Sequence, residues 1–277
     1  MVVITGAGGG IGRATGFAFA RRNCSLVLGD IRMDAAEATA VRARDRFGVS
    51  AAAVACDVRI DADVQSLVAR AIDLFGRVDV MVNNAGAGYY GRVEDTPVAD
   101  LRELFELNVL GVQRGLLAIV PIMRNQRSGH IVVVGSVNGK LSWPFHGAYS
   151  ATKFALTGLT RALRMELAGS GVKASLVLPV NVRTGFFDSA KVATTGYEPR
   201  PLGGLRSPAS VARTIVHAVE RGSAELNTVG VMRLASVVSE AIPALHDSAG
   251  AWWYQRKSRE LPQARPRPPA PPPAHDT

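Results

Sequence analysis

The sequence of 277 residues is poor in cysteine and in aromatic side chains: it has two cysteines, and Phe, Trp and Tyr together make up 6% of it. Two cysteines cannot build a disulfide framework, so a reducing compartment is expected. No uninterrupted apolar run reaches the roughly 18 residues that a membrane span needs, and no basic segment followed by an apolar stretch begins the chain. These absences predict a cytoplasmic protein that neither crosses a membrane nor is secreted.

Metal-ligand patterns and clustered positive charge are also missing. The five histidines are scattered, and no cluster of His, Cys and carboxylates has metal-ligand spacing, so no metal site is predicted. The formal net charge of +9 is spread along the chain, apart from a tail over 256–277 with five basic and two acidic residues. Nucleic-acid binders concentrate Lys and Arg on one face or segment. No nucleic-acid partner is therefore predicted.

Short β-branched runs alternate with longer segments of helical period. Apolar runs bounded by Gly, Asp or Asn are typical of buried parallel strands, and their alternation with helices predicts βαβ units. We therefore expect an α/β fold: a Rossmann-type, doubly wound parallel sheet of about seven strands with helices on both faces, in a single domain over residues 1–230. The strand candidates are Val2–Ile4, Ser25–Leu28, Ala51–Val54, Val78–Val82, His130–Val134, Lys173–Leu178 and Glu225–Val229, and the clearest helix candidates are Ala62–Phe75, Val98–Met123 and Tyr149–Ala168.

Two further segments follow this domain. Residues 231–255 have a roughly helical apolar spacing interrupted by Pro243, and 256–277 is a basic tail with seven of the 15 prolines, for which we expect disorder. The helical extension is predicted to close over a substrate pocket or a subunit interface. The sharper alternative is a weak contact of 231–257 with a membrane surface, through Trp252, Trp253, Arg256 and Lys257.

A glycine-rich segment, Thr5-Gly6-Ala7-Gly8-Gly9-Gly10-Ile11-Gly12, lies between the first strand and the first helix. Glycines there allow a tight turn and let the backbone approach a pyrophosphate, which the N–H groups of the following helix bind. The second strand ends at Asp30, where a carboxylate can accept hydrogen bonds from adenosine ribose hydroxyls and repel the extra phosphate of NADP. Asp30 can equally cap the helix that begins near Met33, and Arg32 is the one feature that softens the preference for NAD.

A second group of polar residues carries the chemistry. Tyr149 and Lys153 are spaced i, i+4 on one helix face, and Ser136 follows a strand at the edge where open α/β sheets bind ligands. A neighbouring ammonium lowers the pKa of a phenol, so Lys153 is expected to help Tyr149 act as the general acid or base. The Ser136 hydroxyl is expected to hold the substrate oxygen as charge develops on it.

Over about residues 1–230 the sequence resembles the single-domain short-chain dehydrogenases/reductases. Thr5 to Gly12 is similar to the TGxxxGIG loop of that family, Asp57-Val58 to its adenine-contacting pair, and Asn83 to Gly86 to its NNAG motif. The resemblance implies a catalytic tetrad of Asn108, Ser136, Tyr149 and Lys153, with Asn108 holding a relay water and Lys153 binding the nicotinamide ribose. The implied cofactor contacts are Gly6, Gly8, Gly10, Ile11, Gly12, Asp30, Asp57, Val58, Asn84, Ala85, Gly86, Tyr149, Lys153, Pro179 and Thr184.

Together these features predict an NAD-dependent oxidoreductase, with NADP the less favoured cofactor. Its substrate is expected to be a hydrophobic secondary alcohol or ketone, and self-association as a homodimer or homotetramer is implied. The alternatives are an epimerase or dehydratase of the same superfamily and a dinucleotide-sensing regulator without turnover.

Two parts of the chain depart from the family pattern or leave its use open. Val180 replaces the glycine that usually follows Pro179, and a β-branched residue is costly at positive φ. The aromatic side chains around Tyr149 and in the region 184–207 either line an apolar pocket or only pack its cover; they are Trp143, Phe145, Phe186, Phe187 and Tyr197, with His146 expected at the pocket edge. The first strand begins almost at Met1, and we expect additional residues before it to stabilise the protein.

Overall fold

A seven-stranded, entirely parallel β-sheet forms the centre of the computed structural model, which describes residues 1–186, 190–199, 204–259 and 261. Its strands lie in the order β3-β2-β1-β4-β6-β7-β9. Two short parallel strands, β5 and β8, form a separate ribbon. The strands are β1 (Val2–Thr5), β2 (Leu26–Asp30), β3 (Ala51–Ala55), β4 (Val80–Asn83), β5 (Tyr89–Tyr90), β6 (Gly129–Val134), β7 (Val172–Leu178), β8 (Lys191–Val192) and β9 (Glu225–Asn227).

Strand β1 lies in the interior of this sheet, where it pairs with β2 on one side and with β4, the middle strand, on the other. Val3 is in register with Val27 and with Met81, and all three side chains are buried. The chain order reverses between β1 and β4, and open α/β sheets bind ligands at the carboxyl ends of strands beside such a reversal. The sheet therefore places the ends of β1 and β4 at the expected site.

Helices cover both faces of the sheet, as continuous apolar strands require. One core layer includes Ile4, Leu28 and Ile215, and the opposite layer includes Met81 and Leu156. The helices are α1 (Gly10–Ala20), α2 (Met33–Phe47), α3 (Asp61–Phe75), α4 (Val98–Phe105), α5 (Gly111–Gln126), α6 (Gly147–Glu166), α7 (Pro208–Arg221), α8 (Gly230–Ala241) and α9 (Pro243–Ser258). The seven-stranded α/β fold expected from the sequence is confirmed.

The helical segment expected over 98–123 is not one regular α-helix. A π turn over Glu106–Leu110 separates α4 from α5 and places Asn108 in the interior with no exposed surface. The combined segment Val98–Gln126 is long and apolar enough to cross a membrane by length and composition. In the fold, its second half packs Ile119 and Met123 into the core, while Leu117 on the same half is exposed.

The C-terminal region continues as two helices that meet at Pro243, where the sequence predicts an interruption. Helix α9 extends through Ser258, so the first three residues of the expected disordered tail are helical instead. Helix α9 packs on the body of the protein through Trp253 and Tyr254, which contact Phe145. Residues 260 and 262–277, and with them the proline-rich part of the tail, lie outside the described residues, and the three segment boundaries stay predictions.

Candidate active site

A cavity of about 980 Å³ opens at the carboxyl ends of the central strands. Its lining includes Asp30 and Asp57, residues of the glycine loop, and Ser136 with Tyr149. The remaining wall is largely apolar and includes side chains from the C-terminal helix α8. Among its lining residues are Val58, Leu107, Leu141, Trp143, Val182, Phe186, Met232 and Ala235. One continuous space therefore joins the two polar groups of residues that the sequence singles out.

The glycine loop is shaped by close backbone contacts. Gly6 and Gly10 have φ of +64° and +49°, a region that favours glycine. A Cβ atom on Gly12 would lie 2.0 Å from the Gly6 carbonyl oxygen, so no side chain fits there without moving the turn. Gly6, Gly10 and Ile11 line the cavity at the start of α1. This is a cradle in which backbone N–H groups meet a bound pyrophosphate, and these residues fit a dinucleotide.

The segment after β4 holds this loop in place. The Asn84 side-chain amide donates hydrogen bonds to the carbonyl oxygens of Thr5 (2.9 Å) and Gly6 (3.1 Å). In return, the Thr5 hydroxyl accepts hydrogen bonds from the backbone N–H groups of Asn84 and Ala85. Ala85 and Gly86 then line the cavity. The NNAG segment thus acts mainly through the position it imposes on the loop.

Asp30 has both carboxylate oxygens engaged by backbone N–H groups. Oδ2 accepts from Gly8 at 2.8 Å and Oδ1 accepts from Arg32 at 3.0 Å. Asp30 therefore tightens the turn into α2 through the N–H group of Arg32, the residue before that helix, while it also lines the cavity; its contact with ribose hydroxyls stays a prediction. A Cβ on Gly8 would lie 2.8 Å from Oδ2, which explains the glycine there. The Arg32 guanidinium is 3.9 Å from Oδ1 and largely exposed.

Asp57 and Val58 lie on the same wall of the cavity. The Asp57 carboxylate pairs with the guanidinium of Arg59, with Nη2 at 2.5 Å from Oδ2. That hydrogen-bonded pair holds the pKa of Asp57 below its usual range. The carboxylate therefore stays ionised at neutral pH and remains an acceptor for a ligand N–H group.

Ser136, Tyr149 and Lys153 come together on the far side of the loop. Ser136 follows β6, and its Oγ accepts a hydrogen bond from the Asn138 N–H (3.2 Å). The Ser136 and Tyr149 side chains both line the cavity, and the Ser136 hydroxyl acts to lower the pKa of Tyr149. Lys153, one turn after Tyr149 on α6, donates to the Val134 carbonyl oxygen (3.3 Å), and its Nζ lies 5.6 Å from the centre of the Tyr149 ring.

Burial governs the protonation of both side chains. Loss of water raises the pKa of Tyr149 to about 12, against the opposing effect of the Ser136 hydroxyl. The same loss lowers the pKa of Lys153 to about 8. The expectation that Lys153 depresses the Tyr149 pKa is therefore wrong for the chain alone. Removing water disfavours a phenolate and an ammonium alike, and here that cost exceeds their attraction.

Asn108 stands apart from the other three expected catalytic residues. Its Oδ1 accepts from the Ala87 N–H (2.9 Å), while Nδ2 donates to the Ala87 carbonyl (3.0 Å) and contacts the Thr152 hydroxyl (3.2 Å). These bonds tie the π turn to the segment after β4 and to α6. The Asn108 side chain is not among the cavity-lining residues of the described chain. Its visible role is to position the strand end and the helix that carry the site.

The conformation of the loop after β7 explains how Val180 can stand where the family usually has a glycine. Val180 does not adopt positive φ; Asn181 does, with φ of +41°, and Asn tolerates the left-handed region better than a β-branched residue. Pro179 and Thr184 line the cavity. The Thr184 methyl group lies 3.0 Å from the position of a Cβ on Gly10, so this loop closes against the glycine turn.

The aromatic residues divide between lining the pocket and packing its cover. Trp143, His146 and Phe186 line the cavity, and burial lowers the pKa of His146, which favours the neutral ring. Phe145 and Tyr197 instead stack on each other, with centroids 4.2 Å apart. Phe187 lies outside the described residues.

Tyr90 and Met232 also line the cavity, and neither is among the expected site residues. Tyr90 belongs to the short ribbon strand β5, and Met232 to α8. The aromatic pair Tyr89-Tyr90, which Ala87 and Gly88 separate from the NNAG segment, was the available signal for Tyr90. Met232 lies in the extension over 231–255 that is expected to close over a substrate pocket or a subunit interface, but its place in the cavity wall depends on how α8 crosses the cavity.

Comparison with known proteins places this geometry among dehydrogenases. The family model described as short chain dehydrogenase matches residues 1–194. The chain is 32% identical over 246 residues to estradiol 17-beta-dehydrogenase 11 of Rattus norvegicus, covering 88% of this chain and 80% of that protein.

Solved structures agree with this similarity. A short chain dehydrogenase/reductase from Burkholderia phymatum in complex with NAD superposes with a TM-score of 0.79 at 31% identity, over 88% of this chain and 94% of that one. An alcohol dehydrogenase from Thermococcus sibiricus complexed with 5-hydroxy-NADP gives 0.73 at 30% identity, over 82% and 94%. The two neighbours thus hold different nicotinamide dinucleotides.

The glycine contacts predict a matched pair of substitutions. Gly12→Ala places a methyl group against the Gly6 carbonyl, whereas the nearest atom to a Cβ on Gly9 is 3.8 Å away. We expect Gly12→Ala to weaken NADH binding, measured by nicotinamide fluorescence, at least about tenfold, and Gly9→Ala to stay within about twofold of the native chain. Circular dichroism of both variants checks folding. Equal affinities of two folded variants would contradict the cradle.

Proposed function

Because the chain belongs to the short chain dehydrogenase family and is an oxidoreductase of CH–OH and keto groups with a nicotinamide cofactor, we propose that it transfers a hydride between NAD and a hydrophobic secondary alcohol or its ketone. The observation that carries the proposal is the single cavity that joins the glycine loop and Asp30 to Ser136, Tyr149 and Lys153. Fold alone does not assign this activity, since function belongs to the site.

The chain's own residues handle the substrate oxygen and its proton. The bound nicotinamide ring donates the hydride in reduction and accepts it in oxidation. In reduction, the Tyr149 hydroxyl gives its proton to the oxygen that becomes the alcohol; in oxidation, the phenolate takes that proton back. Ser136, which lines the cavity together with Tyr149, donates a hydrogen bond to the same oxygen while negative charge develops there.

Protonation of Tyr149 and Lys153 supports both directions. With a pKa of about 12 for Tyr149, the phenol is present at neutral pH and serves as the acid in reduction. Oxidation needs the phenolate, and positive charges close to Tyr149 favour it because they lower the pKa of the phenol. The Lys153 ammonium supplies one such charge below its pKa of about 8, and the oxidised nicotinamide ring is a second cation.

Asp30 supports the choice of NAD over NADP. Two backbone N–H groups hold its carboxylate at the cavity wall, where it accepts hydrogen bonds from ribose hydroxyls and repels a phosphate on the same sugar. The competing feature is Arg32, whose guanidinium is drawn toward that carboxylate at 3.9 Å. Pairing with Asp30 leaves Arg32 less available to neutralise the phosphate of NADP.

The apolar wall beyond Tyr149 supports a hydrophobic substrate, with Leu141, Trp143, Phe186 and Met232 facing the space that the polar residues leave. A dinucleotide sensor without turnover does not need a proton donor, a hydrogen-bond donor and a lysine at that space, which here are Tyr149, Ser136 and Lys153. No observation on the described residues favours an epimerase or dehydratase, and a cytoplasmic location remains a prediction.

Self-association is proposed through the outer faces of α5 and α6. Leu117 is 66% exposed on α5, and Phe154 and Met165 are exposed on α6. Exposed apolar side chains on two adjacent long helices are typical of a surface that a second copy covers. A homodimer or homotetramer, as the family resemblance implies, uses such a surface.

The role of the phenol predicts a separation of catalysis from cofactor binding. Tyr149→Phe removes the hydroxyl and keeps the ring, which packs 5.6 Å from Phe186. We expect turnover of secondary alcohols to fall at least about 10²-fold while NADH affinity changes less than about twofold. Tyr197→Phe, a buried phenol outside the cavity, is the control and keeps its turnover. A Tyr149→Phe protein with native turnover would refute the assignment.

The low pKa of Lys153 predicts a pH limit for ketone reduction. The side chain is charged below pH about 8 and loses its proton above it, so kcat for reduction is expected to be level below that pH and to fall above it. Lys153→Arg keeps the charge and moves the fall to higher pH, since Arg stays protonated. The exposed Lys191→Arg serves as the control. If the native protein and Lys153→Arg showed the same dependence of kcat on pH, both below and above pH about 8, this role would be contradicted.

The position of Asp30 predicts the cofactor preference. In parallel fluorescence titrations, the native chain is expected to bind NADH at least about tenfold more tightly than NADPH, and Asp30→Ser to lose most of that ratio by gaining NADPH affinity. Asp34→Ser on α2 controls for the loss of one negative charge nearby. Preference of the native chain for NADPH would mean that Arg32 outweighs Asp30.

A further inference from the structure

Helix α8 is apolar on the side that faces away from the protein. Met232 and Ala235 line the cavity and Ser236 is buried, with its hydroxyl bonded to the Met232 carbonyl. On the opposite side, Leu234 is 65% exposed and Val237 is 57% exposed. A surface helix normally buries its apolar stripe and exposes its polar one. Helix α8 therefore covers the cavity with an apolar exterior.

The apolar exterior continues along the chain into α9. Leu245 and Trp252 are exposed and spaced by two helical turns, so they share one side of α9. The next residues, Trp253 and Tyr254, pack on Phe145 and fix the other side to the body of the protein. We name the exposed set the outer C-terminal face: Val231, Leu234, Val237, Val238, Ile242, Leu245 and Trp252.

Basic side chains flank this face. Arg233 on α8 and Arg256 and Arg259 at the end of α9 are exposed, and they outnumber the exposed acidic residues of the two helices, Glu240 and Asp247. The Arg256 guanidinium lies 6.0 Å from the centre of the Trp252 ring, so an aromatic ring and a cation stand together at the edge of an apolar stripe. Trp beside Arg or Lys at the margin of an apolar helix face is typical of helices that lie in a lipid interface.

We propose that the outer C-terminal face docks on the surface of a membrane that contains anionic lipid. The apolar side chains enter the boundary between headgroups and acyl chains, and the flanking arginines meet the negative headgroups. A second copy of the chain is the less favoured occupant, because a symmetric pair would bring clusters of like charge together. The exposed residues of α5 and α6 also provide a separate surface for self-association.

This docking specifies the substrate class, a step that rests on the proposed function. Met232 and Ala235 line the cavity from the same helix whose outer side meets the lipid, so one helix separates the cavity from the membrane. The alcohols or ketones that reach Tyr149 are then those that partition into lipid rather than those dissolved in water.

The test is co-sedimentation of the full chain with vesicles of phosphatidylcholine containing about 30 mol% phosphatidylserine. Leu234→Ser/Val237→Ser is expected to weaken vesicle binding at least about tenfold, because the substitutions remove two apolar side chains that would insert into the lipid. The matched control is Leu74→Ser/Val41→Ser, which alters one exposed Leu and one exposed Val on α3 and α2 and is expected to bind as the native chain does.

Charge is tested separately. Arg256→Glu/Arg259→Glu is expected to weaken binding to these vesicles at least about tenfold and to change binding to pure phosphatidylcholine much less. Arg42→Glu/Arg70→Glu, an equal change on exposed positions of α2 and α3, is the control. Circular dichroism and NADH affinity confirm that each variant is folded.

Three results would overturn the proposal. The first is a native chain that stays in the supernatant, and the second is unchanged binding by Leu234→Ser/Val237→Ser. The third is a smaller oligomer for that variant by light scattering, which would show that a second copy covers the face. Vesicle binding needs no turnover, so an inactive native chain that still binds vesicles would refute the proposed function and leave the docking intact. If the native chain and Leu234→Ser/Val237→Ser each oxidise a water-soluble alcohol and a vesicle-borne alcohol equally well, the proposed substrate class is refuted.

Discussion

The hydrogen bonds between the ends of β1 and β4 are the contact on which the rest of the site depends. Through them the Asn84 amide holds the carbonyl groups of Thr5 and Gly6, and the tight turn that follows leaves no room for a side chain at Gly12. Because β1 is an interior strand, paired on both sides, this turn has a rigid base. The start of α1, Asp30 and the cavity floor all take their positions from it.

Burial is the second constraint, and it acts on charge. The pair that carries the proposed proton transfer is removed from water, so the pKa of Tyr149 rises to about 12 and that of Lys153 falls to about 8. A free chain thus keeps its phenol protonated at neutral pH, while its lysine is charged there and loses its proton above pH about 8. In the proposed reaction, the positive charge of an oxidised nicotinamide would help to favour the phenolate, which would couple proton transfer to cofactor binding.

Much of the fold could be predicted because its signals are local. Buried parallel strands appear in the sequence as continuous apolar runs. The glycine loop, the NNAG segment and the Tyr-x-x-x-Lys pair are short patterns, and they occur along the chain in the same order as the strands that they follow. The interruption at Glu106–Leu110 could not be read this way, since a π turn and a regular helix share nearly the same apolar spacing. Nor could the positive φ at Asn181, which depends on how its loop meets the glycine turn.

The sequence by itself determined the α/β class, the candidate site residues that follow strand ends, and the acidic position at the end of β2, because each rests on neighbours within one element. Only the tertiary structure decided which residues face the cavity: it made Asn108 a buried link to Ala87 and Thr152 and brought Met232 into the same cavity as Tyr149. It also decided that burial, and not the neighbouring ammonium, governs the Tyr149 pKa. Distances between segments far apart in the chain, and the water they exclude, exist only once the helices have packed on the sheet.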